Sequence, residues 1–247
     1  MPTDLNRSAN RPGVSIITCT NRQNYRGNLF QNFERQRHEK KELIIIVNSD
    51  DIPLQPYQKL AAKDKRIQVY RMPEKRSLGA CLNFAVKKTK YNYIAKFDDD
   101  DYYAPNYLTN SLEVFAKTNA DVIGKRAHYM YLRGSKTLLL RFPHDENRSV
   151  SHLPGATLIA KRQVFKKVQF PNVSVGEDDQ FCLNCKEKGF KVYSGDRHHF
   201  VAIRRKNSFQ HTWIISDETL IAHHQVIPNV KNIRRFVQRK QTDEAST

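Results

Sequence analysis

From Val14 onward the chain repeats one pattern: a short uninterrupted apolar run, then a stretch whose apolar residues recur three and four positions apart. Runs of this length suit strands buried on both faces, and parallel strands need a long crossover, usually a helix, between them. VSIITC, ELIIIV, RIQVYR and YNYIAKF are the runs. Tyr25, Leu29, Phe30 and Phe33 fall at helical spacing between the first two, a helix is expected around 54–63, and Ser77 is placed to cap LGACLNFAVKKT. Such strand-helix-strand units are right-handed. They predict an α/β fold with a mostly parallel central sheet flanked by helices, Rossmann-like in its first half. Ligands in such sheets bind beyond the carboxyl ends of the strands, so TCTNR, NSDD, MPEKRS and DDDD should converge on one cleft.

The later half is less regular. ADVIGKRAHYMYL reads as one strand and KTLLLRF as another, antiparallel across the turn-forming RGS. HLPGATLIAKRQVF reads as a loop or strand entering a short helix, GEDDQFCLNCKEKG as a helix stopped by Gly189, and FKVYSG as a strand. After Gln225, Ile227, Val230, Ile233 and Val237 recur at helical spacing beside Lys231, Arg234, Arg235, Arg239 and Lys240. That predicts an amphipathic basic helix ending in a polar TDEAST. No long Pro/Gly/Ser linker interrupts the chain, so the expected organisation is a flexible lead over 1–12, one domain over 13–225 and a basic tail over 226–247.

Lysine and arginine number 42 against 25 aspartates and glutamates, and a net charge of +17 calls for an anion nearby. A nucleotide diphosphate, an anionic glycan or polyol-phosphate acceptor, an acidic membrane surface and nucleic acid all qualify. The basic residues are spread out and no RRM, KH, zinc-finger or helix-turn-helix signature appears, so a nucleic-acid-binding module is the lesser reading and no nucleic-acid partner is expected. No apolar run approaches the roughly 18 residues that span a bilayer, and MPTDLNRSANRPG has no apolar signal-peptide core. The expected compartment is the cytoplasm, with the tail either attaching the protein peripherally to the inner face of the membrane or packing on the domain. Cys182 and Cys185 form a CxxC without a second pair, a pattern better met by two thiols on one helical face than by zinc.

The four aspartates 98–101, directly after the fourth strand, are the most informative stretch. Like charges confined there repel unless a cation sits among them. On extended chain alternate residues share a face, so Asp98 and Asp100 point toward one divalent ion. Mg2+ or Mn2+ held by one or two carboxylates keeps positions open for the phosphates of a nucleotide diphosphate. An acidic cap on the helix beginning near Pro105 accounts for the same run without a metal.

Several segments, in order, resemble the family 2 glycosyltransferases, enzymes of the GT-A (nucleotide-diphospho-sugar transferase) fold. VSIITCTNR resembles their first strand and nucleotide-binding loop, and ELIIIVNSDD lies where they carry the acidic loop that contacts the base. SLGACLNFAVKKTKYNYIAKFDDDDYYAPNYL is similar to their helix, strand and DxD stretch, LPGATLIAKRQVF to their acceptor-side glycine segment, and VGEDDQFCLNCKEKGFKV to their ED motif. HHFVAIRRKNSFQHTW is similar to the closing segment of small bacterial members linked to spore and cell-surface polysaccharides. The resemblance implies an inverting, metal-assisted transfer from a nucleotide-diphosphate-sugar, expected to be a UDP-sugar, to a hydroxyl of a glycan, lipid-linked or polymer acceptor. It puts Asp178 in the place of the catalytic base. Thr18, Thr20, Asn21, Arg22, Asn48, Asp50, Arg76, Asn83, Asp98 and Asp99 take places around the donor, and Gly155, Ala156 and Glu177 take places on the acceptor side. Asp98 and Asp100 take the places of Mg2+ or Mn2+ ligands, with His211 a further candidate.

Two departures matter. The second loop reads NSDD where many members have DDGS, so the base-contacting residue is Asn48, Asp50 or Asp51. The usual Arg-Asn pair of the following helix is Leu82-Asn83, which moves diphosphate neutralisation to cations such as Arg76. Glu177 and Asp179 compete with Asp178 as base or serve as helix N-terminal charge. Arg204 and Arg205 are phosphate partners or an exposed basic edge; Trp213 stacks on a ligand or packs in the core; His198 and His199 are further ligand candidates. A sugar nucleotidyltransferase is the nearest rival, but such enzymes carry a Gly-rich loop after the first strand and TCTNRQN has no glycine.

Overall fold

The computed structural model describes residues 12–206 and 213–238. The first four strands are parallel and joined by helices: β1 (Val14–Thr20), α1 (Arg26–Glu34), β2 (Lys41–Asn48), α2 (Gln55–Ala61), β3 (Ile67–Met72), α3 (Leu78–Lys88) and β4 (Tyr93–Lys96). β2 shows why its sequence is apolar throughout. Leu43, Ile45 and Val47 pack on one face with Leu29, Phe30 and Phe33 of α1, while Ile44 and Ile46 pack on the other with Cys81, Leu82 and Ala85 of α3. The Ser77 hydroxyl accepts the Ala80 N–H at 3.1 Å, the cap expected for α3.

The chain continues through β5 (Tyr102–Tyr103), α4 (Tyr107–Thr118), β6 (Val122–Gly124), β7 (His128–Leu132), β8 (Thr137–Arg141), β9 (Arg148–Ser149), β10 (Ile159–Lys161), α5 (Glu177–Glu187), β11 (Val192–Ser194), β12 (Phe200–Arg204), α6 (Asp217–His223), β13 (Gln225–Ile227) and α7 (Ile233–Phe236). The main sheet runs β3-β2-β1-β4-β10-β6-β11-β9, with β10 antiparallel to both neighbours. A second sheet, in the order β13-β8-β7-β12-β5, packs beyond the carboxyl end of β4. β7 and β8 are antiparallel across the turn at 133–136, as their sequence predicts. α5 ends before Gly189, whose φ of +78° suits glycine.

The structure corrects two expectations. The single strand expected over ADVIGKRAHYMYL is two strands in different sheets. At the break, the Lys125 and Arg126 amides donate to Thr157 Oγ1 (3.0 Å) and Ser194 Oγ (2.9 Å) instead of continuing a ladder. The expected basic tail helix is a strand, a turn and one short helix. Pro228, lacking an N–H, follows β13, and Asn229 adopts a left-handed φ of 60°. Val230, Ile233, Phe236 and Val237 pack with Tyr102, Tyr129, Leu138, Leu140 and Val201 under the second sheet, so the boundary expected at 225 falls inside β13. The expected flexible lead, apart from Pro12, and the end from Arg239 through TDEAST lie outside the described residues. Among the described residues no helix is long and apolar enough to cross a membrane.

Two glycines respond oppositely to alanine. A Cβ on Gly79, in the first turn of α3, would stand 1.8 Å from the Pro171 carbonyl oxygen, whereas one on Gly27 in α1 meets nothing within 4 Å. Thermal unfolding should show Gly79→Ala destabilised by at least about 1–3 kcal/mol, the cost of forced overpacking. Gly27→Ala should be neutral or more stable by up to roughly 1 kcal/mol, from helix propensity alone. Equal melting temperatures for the two variants would refute the close packing of α3 on the 171–173 segment.

Candidate active site

The acidic turn after β4 is clamped from several directions. Asn28 of α1 donates to the carbonyls of Asp99 (2.7 Å) and Asp101 (2.8 Å), and Asn32, one turn later, donates to Asp101 (2.9 Å). Asp98 N–H donates to the Tyr103 hydroxyl, which donates to the Ala156 carbonyl, both at 2.7 Å. The Tyr103 ring stacks on Phe97 with centroids 3.7 Å apart. Asp101 is buried and accepts the Ile203 N–H at 2.8 Å, tying the turn to β12.

Each of the other three carboxylates has a basic partner. Asp99 is buried, accepts the Thr20 hydroxyl at 2.6 Å and pairs with Arg22, which also reaches Asp100 at 2.8 Å. Burial pushes Asp99 up to about 6, against the pull of Arg22, with Asp100 adding to the rise. Asp100 is raised in the same way, by burial first. Burial disfavours the Arg22 charge, yet Asp99 and Asp100 hold its guanidinium above its ordinary range. Asp98 and Asp100 share a cavity of about 230 Å³, with Arg22, Arg204, Arg205 and Trp213 on its walls. Asp98 and Asp99 also border one of about 290 Å³ that Thr20, Asn21, Arg22 and Asn48 line at the ends of β1 and β2.

Lys96 joins this turn to the start of α5. Its ammonium group is buried, 2.6 Å from Asp98 and 4.0 Å from Glu177. Burial works against its charge, but Asp98 and Glu177 outweigh that and hold the lysine above its usual range. Asp178 accepts the Gly155 N–H at 2.6 Å and the Asp179 N–H at 3.0 Å. A Cβ on Gly155 would lie 2.9 Å from Asp178 Oδ2 and 3.0 Å from Lys96 Nζ, so Gly155 is the residue that lets both groups approach one point. Two carboxylate groups distant in sequence therefore meet across one lysine.

Thr20, Asn21, Arg22, Asn48, Asp98 and Asp99 come together at one cavity, Asp100 lies beside them, and Gly155, Ala156, Glu177 and Asp178 gather around Lys96 and Tyr103. Four assigned residues go elsewhere. Thr18 is buried within β1 and lines neither cavity. Asp50 is exposed, with its carbonyl taken by Arg71. Arg76 is exposed in the turn before α3 and borders neither cavity. Asn83 spends its carboxamide on the Phe170 carbonyl (2.8 Å) and N–H (3.0 Å), bracing α3 against the following segment. His211 lies outside the described residues. Arg204 donates to the carbonyls of Trp213 and Ile215, and Trp213 is exposed at 43% rather than packed in the core. Cys182 and Cys185 are buried in the core, where burial pushes both thiols up.

Lys96, Tyr103, Asn28 and Asn32 take part without standing out in the sequence. A lone lysine inside the apolar YIAKF was a legible signal for Lys96, because a buried cation needs a carboxylate partner. Among the described residues no three His, Cys, Asp or Glu side chains converge as a ready-made metal cage. Asp98 and Asp100 nevertheless offer hard oxygen donors to one cavity, and this donor set fits Mg2+ or Mn2+ whose remaining ligands are phosphate oxygens and water.

A family model described as Glycosyl transferase family 2 matches residues 15–172. A glycosyltransferase of Haemophilus influenzae is 26% identical over 206 residues, 78% of this chain and 80% of its own length. The O-antigen biosynthesis glycosyltransferase WbnJ of Escherichia coli is 29% identical over 143 residues, 53% of this chain and 54% of its own. Among solved structures, S. aureus TarS 1–349 in complex with UDP-GlcNAc superimposes with a TM-score of 0.64 at 17% identity, covering 84% of this chain and 63% of that one. The mannosyltransferase PcManGT from Pyrobaculum calidifontis, in complex with GDP-Man and Mn2+, gives 0.60 at 17% identity, over 80% of this chain and 58% of that one. These likenesses establish the GT-A fold, and the chain spans under two thirds of WbnJ and of both solved structures.

Burial lifts the Glu177 carboxyl to about 7, partly offset by Lys96 and increased by Asp178. A carboxyl raised on folding stabilises the protein below its unfolded value near 4.5, and that contribution is lost as pH rises through the folded value near 7. Melting temperatures followed across this window should show Glu177→Gln gaining on the wild type as pH rises, with the full gain above about 7. A wild-type-to-variant difference that ignores pH would contradict the raised carboxyl.

Proposed function

The chain belongs to glycosyltransferase family 2, and from that premise we infer that it moves a sugar from a nucleotide-diphosphate-sugar onto an acceptor hydroxyl of a glycan, with inversion at the anomeric carbon. The observation that carries this reading is the Lys96 junction, because it brings the Asp98 carboxylate, which borders the cavity, and the Asp178 carboxylate toward one ammonium group. A direct displacement needs these two functions close together: charge control at the leaving diphosphate and a base at the incoming hydroxyl.

The nucleotide occupies the cavity between the ends of β1 and β2, with Thr20, Asn21 and Asn48 on its walls. Its diphosphate lies toward Asp98 and Asp100, which would hold Mg2+ or Mn2+, and Arg22 adds a guanidinium at the same place. When bound, the ion supplies Lewis-acid stabilisation of the departing phosphate oxygen. Asp178 takes the proton of the acceptor hydroxyl as that oxygen bonds to the anomeric carbon. The electron pair of the broken glycosyl–phosphate bond leaves on the diphosphate. The Gly155 and Asp179 amides fix the orientation of the Asp178 carboxylate, and Lys96 keeps positive charge between it and Asp98. Glu177 is buried and faces Lys96, and burial raises its carboxyl to about 7, so it is the poorer candidate for the base. UDP and GDP sugars are the donors to test first, since TarS is bound to UDP-GlcNAc and PcManGT to GDP-Man with Mn2+.

Asp178→Asn should cut turnover by about 100-fold or more, the range for loss of a general base. Nucleotide-diphosphate affinity, read by calorimetry, should stay within about twofold. Asp98→Ala should instead weaken nucleotide binding in the presence of Mn2+ as well as lowering the rate. Unimpaired transfer by Asp178→Asn would remove that residue from the role.

A further inference from the structure

The edge formed by Asp100, Asp101 and Ile203 borders two cavities. One is the cavity of Asp98 and Asp100, and the other, on the opposite face of β12, has about 510 Å³ and is bordered by Tyr25, Tyr102, Tyr131, Arg133, Lys231 and Arg234. That cavity shares Tyr131, Lys231 and Ile233 with another of about 560 Å³, where Lys136 joins the wall. The path leads from the acidic turn, past β7, to the segment that follows β13.

Its charge is one-sided. Arg133, Lys136 and Lys231 are exposed and form no ion pair with any described residue. Arg234 lies over the Tyr102 ring at 5.2 Å. Among the described residues the carboxylates on this wall are Asp100, paired with Arg22, and Asp101, buried and bonded to the Ile203 amide. A concave wall of one sign concentrates the opposite charge, and guanidinium forks match phosphate and carboxylate oxygens. Tyr131, half-buried, adds an aromatic side chain with a polar tip to this wall, while the rings of Tyr25 and Tyr102 already carry Arg22, Arg35 and Arg234. A concave, aromatic trough fits a chain molecule better than it fits a flat membrane.

We propose, resting on the transfer reading above, that this trough seats an acceptor polymer bearing repeated phosphodiester or carboxylate charges, with its growing end passing Asp100 toward Asp178. The basic residues that follow β13 thus act as acceptor-binding groups.

The test uses the full chain and fluorescence anisotropy with labelled oligo(glycerol phosphate), oligogalacturonate and a neutral maltodextrin of equal length. At least one charged oligomer should bind about tenfold or more tightly than the neutral one, and the better of the two tells phosphodiester from carboxylate. Lys231→Glu and Arg133→Glu should each weaken that binding by about tenfold, whereas Lys186→Glu, the same charge change on an exposed position of α5, should stay within about twofold. All three sites are exposed, so melting temperatures should hold. Equal binding of neutral and charged oligomers, or equal losses in Lys186→Glu and Lys231→Glu, overturns the proposal. So does Lys231-dependent sedimentation with phosphatidylserine vesicles when no oligomer binds. A parallel thermal-shift panel of UDP and GDP with Mn2+ reads the donor cavity separately: failure there counts against the transfer reading, while the oligomer result still decides the trough.

Discussion

Burying an ammonium group costs several kcal/mol unless carboxylates surround it, and the arrangement around Lys96 depends on that penalty. The lysine ends β4, in the middle of the main sheet, with Asp98 at 2.6 Å and Glu177 at 4.0 Å. Neither acidic segment can move away without leaving an uncompensated charge behind. The acidic turn is therefore coupled to the start of α5 by electrostatics, although no strand pairing joins them directly. Gly155 completes the junction by presenting an amide to Asp178 where any side chain would collide.

A second constraint comes from the tyrosine and asparagines behind the turn. Tyr103 uses its single hydroxyl twice, accepting from the Asp98 amide and donating to Ala156, so the acidic turn and the 155–157 segment are held by one atom. Asn28 and Asn32 occupy the carbonyls that a tight run of aspartates leaves unpaired. Asp101 gives up any outward role to fasten β12, which is how the second sheet is fixed against the end of the first. Four adjacent aspartates thus carry distinct tasks, set by which neighbour each one meets.

The first half of this architecture was legible because parallel strands buried on both faces leave a continuous apolar run, as in ELIIIV. The converging cleft followed from the rule for the carboxyl ends of such strands, and the aspartates after β4 stand there. The far half of the main sheet and the edge of the second were less legible. β6, β9 and β10 in the main sheet and β5 in the second are only two or three residues long, so no periodicity develops. The tail misled because Val230, Ile233 and Val237 do share a buried face, but they reach it across a turn and a single helical turn. Asn83 and Arg76 show the limit of assigning residues by motif position: one is used up by the backbone of Phe170 and the other stays outside the cavities.

The charge distribution links these parts. Arg22 comes from the loop after β1 and Lys96 from β4, and each neutralises a carboxylate of the acidic turn. Arg22 is 30% exposed and pairs with both Asp99 and Asp100, whereas Lys96 at 5% exposure is confined. Arg22, Arg204, Arg205 and Lys96 stand around this centre. Beyond Asp100, Arg133, Lys136 and Lys231 border the trough and form no ion pair with any described residue. The centre is balanced by its own side chains, and the approach to it is balanced only by what binds.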